Sequence, residues 1–71
     1  MADSSASQKP FDAARFARRV LRLMEGRRLS VREAARETGV SPATMSRVTR
    51  GYSPNIETYT RLCRWLERFG A

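Results

Sequence analysis

Between Ser30 and Gly51 the chain carries two helix beginnings and two helix endings, packed so closely that few arrangements remain open to it. Ser30-Val31-Arg32-Glu33 is a capping box, in which the serine oxygen accepts from the Glu33 amide and the glutamate accepts from the Ser30 amide. Gly39, after Arg36-Glu37-Thr38, suits the left-handed conformation that ends a helix. Ser41 is an N-cap, Pro42 is pre-set for the first helical position, and Val40 and Met45 can close as a hydrophobic staple. This helix runs to Arg50, and Gly51 ends it. Two helices of about two turns each, joined only by Gly39-Val40-Ser41, must cross steeply with their inner faces in contact.

The seam between them is legible in side-chain size. Ala35 allows close approach, and Val40, Met45 and Val48 fill the contact, with Thr38 as a partly exposed seam position. Pro42, Ala43, Ser46, Arg47 and Arg50 are left on the outer face of the second short helix. A longer helix precedes the pair, from Asp12 to about Glu25. Asp12 caps it, Phe11 and Phe16 staple its start, and Phe16, Val20, Leu23 and Met24 share one face. Arg15, Arg18, Arg19 and Arg22 fall mostly opposite, and Gly26 is the natural terminator. After the turn Gly51-Tyr52-Ser53-Pro54, Asn55 caps a last helix from Ile56 to about Arg68. Its core-facing stripe is Ile56, Tyr59, Leu62, Cys63 and Leu66. A second stripe, Leu62, Trp65 and Phe69, is rotated away from it; it could finish a small core or serve as a self-association surface, and it is the candidate dimer contact. No strand pattern occurs. Met1 to Pro10 is polar and aperiodic and reads as a flexible N-terminal arm, leaving residues 11–71 as one domain.

Seventy-one residues support a single small core. The net charge of +7 comes from fourteen cations, all but Lys9 arginine, the planar donor that grips phosphates and guanine edges in pairs of hydrogen bonds. A polyanion is the natural partner. Cys63 stands alone and there is no histidine, so no internal disulfide and none of the usual Cys and His metal spacings can be written. Catalysis is disfavoured by the same lack of histidine, by the absence of a Gly-Lys-Ser phosphate loop, and by the lack of a carboxylate pair converging on a pocket. Nothing points to a cofactor, metal or small-molecule ligand. No apolar run is long enough for a membrane span and Met1 to Pro10 lacks a secretory signal, so a cytoplasmic, nucleoid-associated setting is expected.

Leu29 to Gly51, LSVREAARETGVSPATMSRVTRG, resembles the helix-turn-helix of the phage Cro and lambda-type repressor (XRE) family, and Pro54-Asn55-Ile56-Glu57-Thr58 resembles that family's next turn and helix start. The likeness extends over roughly Phe11 to Phe69. It implies an all-α, compact four-helix domain of the lambda-repressor-like type, with the helix-turn-helix at helices 2 and 3. The fifth helix of many relatives has no room before Ala71. By resemblance, Ala35 and Gly39 are the small packing residue and turn glycine, and Met45 and Val48 are core positions. Pro42, Ala43, Ser46 and Arg47 fall where relatives touch base edges, with Thr44 beside them. Arg47 is the foremost reader, because its fork can donate to both O6 and N7 of a guanine. Phosphate contacts are expected from Ser30, Val31 and Arg32 at the start of helix 2 and from Arg50, Tyr52, Ser53 and Asn55 in the following loop. Two departures matter. Val31 replaces a glutamine that touches DNA in many relatives, and Pro42 and Ala43 replace polar residues, leaving apolar contacts such as one to a thymine methyl.

The expected function is therefore a sequence-specific DNA-binding regulator, in the simplest case a repressor, binding double-stranded DNA as a homodimer through helix 4, as a monomer, or as a pair formed on DNA. The alternative is a protein-interaction module, an antitoxin or adaptor, that keeps the fold and holds a partner through Trp65 and Phe69. A general RNA-binding role is weaker, since no aromatic platform for stacking bases is apparent.

Overall fold

Four side-chain oxygens set where the helices of this protein begin. The structure is a computed structural model that describes residues 11–70, so the arm expected at residues 1–10 lies outside the described residues. It contains α1 (Ala13–Arg27), α2 (Val31–Thr38), α3 (Pro42–Thr49) and α4 (Ile56–Phe69), with no strand among the described residues. Asp12 Oδ1 accepts from the Arg15 amide at 2.9 Å and Asn55 Oδ1 from the Thr58 amide at 2.8 Å. Ser41 Oγ accepts from the Thr44 amide at 3.2 Å. At α2 the capping box closes in both directions, Glu33 amide to Ser30 Oγ at 3.0 Å and Ser30 amide to Glu33 Oε1 at 2.8 Å. Each bond satisfies an amide that the first turn would leave without a partner.

The first helix does not stop at Gly26. It continues to Arg27, and Arg28 takes the left-handed conformation at φ 56° and ψ 45°. The Leu29 amide donates to Met24 O at 2.8 Å and the Arg28 amide to Glu25 O at 3.2 Å, the Schellman pattern. That motif sets the residue after the left-handed position against the last turn, where an apolar side chain is favoured. Termination at Gly26 would put charged Arg27 there. Termination at Arg28 puts Leu29 there, and Leu29 packs on the core.

α1, α2, α3 and α4 enclose one core of Phe16, Val20, Met24, Ala34, Ala35, Val40, Met45, Val48, Leu62, Trp65 and Leu66. The α2–α3 seam is as the side-chain sizes require, and both staples form. Val40 and Met45 are buried together, and the Phe11 and Phe16 rings lie 5.6 Å apart. Tyr59 joins the latter pair, 5.1 Å from Phe16 and 5.5 Å from Phe11.

Several expectations need correction. Thr38 is buried, with its hydroxyl donating to Ala35 O at 3.1 Å and accepting from the Val40 amide at 3.3 Å. Local backbone bonding lets a polar side chain enter the seam. Leu23 is only half-buried at the edge of the core. On α4 the buried face is Thr58, Leu62, Trp65 and Leu66. Ile56, at the first helical position, is 85% exposed, while Tyr59 is exposed and Cys63 half-buried. The stripe assigned to dimer contact is accordingly not a surface. Leu62 is fully buried and Trp65 only 3% exposed in the protein's own core, which leaves Phe69 as the one outward residue of the three.

The rotation of α4 has a polar cause as well as an apolar one. Trp65 can be buried because its indole Nε1 donates to Glu37 Oε1 at 2.9 Å. Arg27 donates to both oxygens of the same carboxylate, at 2.5 and 3.0 Å. Glu37 thus ties α2 to α1 and α4. The Arg27 and Trp65 hydrogen bonds hold its carboxyl below the ordinary value of 4.5. A depressed folded-state pKa stabilises the fold above that ordinary value, and the contribution is lost as pH falls through the folded value. Thermal melts of wild type and Glu37→Gln from pH 7 to 3 check this. The wild type should lose its advantage over the variant below about pH 4.5, and parallel curves would contradict the assignment. A second outcome follows from the end of α1. Arg28→Gly should stabilise by about 1 kcal/mol, or raise the melting temperature by about 5 °C, because glycine accepts the left-handed backbone without a Cβ clash.

Candidate nucleic-acid interface

The helical period of α3 divides its residues into two sets. Met45 and Val48 are buried against α1 and α2, and this inward pair turns Pro42, Ala43, Arg47 and the following Arg50 fully outward, with Thr44 and Ser46 half-buried at the margin. The five residues expected at base edges, Pro42, Ala43, Thr44, Ser46 and Arg47, therefore share one convex strip on a short, rigidly capped helix. Thr44 is oriented by a hydrogen bond from Ser41 Oγ to its hydroxyl at 2.9 Å. Proline and alanine at the front keep the strip narrow where it would meet a groove.

Among the described residues no carboxylate pairs with the cations of the strip. From Thr38 to Ile56 the sequence has no acidic residue. The ion pairs among the described residues, Arg27 with Glu37 and Arg61 with Glu57, lie on other elements, and neither Arg47 nor Arg50 is in one of them. Both guanidiniums instead share the ring of Tyr52, with Arg47 Cζ 4.9 Å and Arg50 Cζ 5.7 Å from its centroid. Two like charges at one aromatic ring, on residues that are both exposed, are suited to an anion with many acceptor oxygens.

The residues expected to hold phosphates divide less evenly. Arg50, Tyr52, Ser53 and Asn55 are exposed in one run beside the end of α3, with the Asn55 carbonyl oxygen committed to capping α4. At the start of α2 the capping box read from the sequence is closed, and it leaves less open to a phosphate. The amide and hydroxyl of Ser30 are both engaged by Glu33, and the Val31 side chain packs on the core. Arg32 is exposed. The bonds from the Ser30 amide and hydroxyl hold the Glu33 carboxyl below its usual range, so it stays ionised at the helix N-terminus where a phosphate would sit. Its cost to anion binding was already implicit in the capping motif. The stack of Tyr52 on Arg47 was not apparent, although the Gly51 spacing carries a signal for it.

Four further arginines, Arg15, Arg18, Arg19 and Arg22, are exposed on α1. Positive charge is thus spread over the molecule, and it is position on α3, rather than charge as such, that singles out Arg47 and Arg50. Among the described residues no group of three or more His, Cys, Asp or Glu is placed to hold a metal, and no helix is long and apolar enough to cross a membrane.

A family model described as a helix-turn-helix domain matches residues 15–69, from the first turn of α1 to the end of α4. No curated protein and no solved structure matches the chain.

The competition at α2 can be measured directly. Glu33→Gln keeps an acceptor for the Ser30 amide while removing the charge. It should elute from immobilised heparin at higher salt than Glu67→Gln, which removes the same charge from an exposed position on α4. Equal elution of the two variants would show that the α2 N-terminus takes no part in anion binding.

Proposed function

This chain belongs to the helix-turn-helix domain family, and on that premise we propose that it is a sequence-specific DNA-binding regulator of the Cro and lambda-repressor kind, with α3 entering the major groove. The observation that carries the reading is the outward strip of α3, in which Arg47 is exposed between small or hydroxylated neighbours and is in no ion pair with the described residues. A helix presented this way fits a groove about 12 Å wide. Arg47 donates to O6 and N7 of a guanine, Pro42 and Ala43 approach a thymine methyl, and Ser46 and Thr44 serve as secondary donors or acceptors. Arg32, Arg50, Ser53 and Asn55, with the Val31 and Arg32 amides, fix the register on phosphates, and Ser30 takes a smaller share because Glu33 engages it.

Specificity then rests on few side chains. With two apolar residues at the front of α3, one bidentate arginine supplies most of the base discrimination. Bound at an operator that overlaps a promoter, such a protein excludes polymerase, and repression is the direct outcome. The adaptor reading loses its main anchor with the burial of Trp65; Phe69 remains, 40% exposed, with Arg27 Cζ 4.2 Å and Arg68 Cζ 5.3 Å from its ring centroid.

Two measurements test the proposal. Affinity for duplex DNA should fall with salt at a log–log slope of about −3 or steeper, from phosphate contacts each contributing about −0.9. Arg47→Ala should lose about 1–3 kcal/mol on its best duplex and become indifferent to the base pair it reads. A flat salt response, or unchanged base preference in Arg47→Ala, would refute α3 as the reading helix.

A further inference from the structure

Gly51, at φ 95°, closes α3 with two backbone bonds: its own amide donates to Val48 O at 3.0 Å, and the Tyr52 amide donates to Arg47 O at 3.1 Å. This is again the Schellman pattern, which reverses the chain and lays the residue after the glycine against a residue of the last turn. The contact usually made there is between two apolar side chains. Here the two residues are Tyr52 and Arg47, and the ring meets a guanidinium, with Cζ 4.9 Å from the centroid. Arg50, three residues on and so on the same side of the helix, brings a second guanidinium to 5.7 Å. Tyr52 is 51% exposed and lies outside the core cluster, so this placement is not explained by burial.

We infer that Tyr52 is a positioning residue, whose ring holds the Arg47 guanidinium ready to read a base, rather than a phosphate ligand acting through its hydroxyl. The inference rests on the DNA-binding function proposed above and gives Tyr52 a role different from the one its loop position suggests. A cation held against a ring face keeps its in-plane N–H groups, so stacking and bidentate donation to a guanine use different parts of the same group. An unstacked arginine must be ordered when DNA arrives. One already stacked has given up that freedom in the free protein, and the gain appears only where the guanidinium meets its cognate base. The electron-rich ring also lets Arg47 and Arg50 sit near one another without an intervening acid. The backbone bonds do not depend on the Tyr52 side chain, so the ring can be changed while the turn is kept.

The test compares wild type, Tyr52→Phe and Tyr52→Leu on a duplex that the wild type selects from a random pool, and on single-base-pair variants of it. NMR of each free protein records the Arg47 side-chain protons. Wild type and Tyr52→Phe should show upfield ring-current shifts at Arg47 and the same discrimination among duplexes. Tyr52→Leu should lose the shifts and bind the selected duplex about fivefold more weakly, with little change on the duplex altered at the base Arg47 reads. A Tyr52→Phe variant that weakens equally on every duplex would overturn the inference in favour of a hydroxyl–phosphate contact, and this arm decides even if the leucine variant fails to fold. A folded Tyr52→Leu indistinguishable from wild type would also overturn it, while leaving the DNA-binding reading intact. A wild type that prefers no duplex contradicts the DNA-binding reading itself, and the positioning role with it.

Discussion

One carbonyl governs the arrangement of the functional face. Ala35 O accepts from the Gly39 amide at 2.9 Å, the Val40 amide at 3.2 Å and the Thr38 hydroxyl at 3.1 Å, so the end of α2 is closed from three directions. Gly39 reaches this geometry at φ 79°, which residues with a Cβ adopt only with strain. With the chain reversed there, Val40 falls into the core and Ser41 begins α3 immediately. The rotation of α3 about its axis is then fixed by Val40, Met45 and Val48, and the outward placement of Arg47 follows from that rotation. Loss of the Ala35 closure would move the reading strip before it altered any residue on it.

A core this small needs more than apolar contact to hold two helices of eight residues each in register. Glu37 supplies a polar tie to Arg27 on α1 and Trp65 on α4, joining the three helices that support α3. Phe11, Phe16 and Tyr59 form an aromatic cluster that links α4 to α1 and to the residue ahead of its cap. These features lie away from the outer face of α3. The supporting ties and the proposed reading strip thus lie on different parts of the fold, and among the described residues Arg47 and Arg50 are in no ion pair.

What was legible in the sequence is what local chemistry decides. The caps at Asp12, Ser30, Ser41 and Asn55 are side chains bonding amides three residues on, and each stands where its residue type indicates. The inner and outer faces of α3 follow from the helical period and two glycines. The errors arise where distant parts of the chain compete. Gly26 is as good a terminator as any locally, but Leu29 needs a place on the core, and Arg28 accepts the left-handed backbone so that it can reach one. On α4 two apolar stripes were available, and the choice fell to Trp65 because Glu37, twenty-eight residues away, supplies the acceptor its indole requires. At the candidate site, periodicity was enough to gather Pro42, Ala43, Ser46 and Arg47. It could not show that the Gly51 turn sets Tyr52 on Arg47, and the capping box, legible in the sequence, already committed the Ser30 amide and hydroxyl to Glu33 and so was at odds with a phosphate contact there.

On the proposed function, Arg47 reads a guanine from the major groove. Methylation interference with dimethyl sulfate tests it at the atom concerned, since the reagent modifies guanine N7 in the major groove and adenine N3 in the minor groove, and N7 is one of the two acceptors proposed for Arg47. On a duplex bound by the wild type, methylation of one or a few guanines at N7 should abolish binding, and Arg47→Ala should no longer distinguish methylated from unmethylated duplex at one of them. Interference confined to adenine N3, or guanine interference that persists unchanged in Arg47→Ala, would contradict the account.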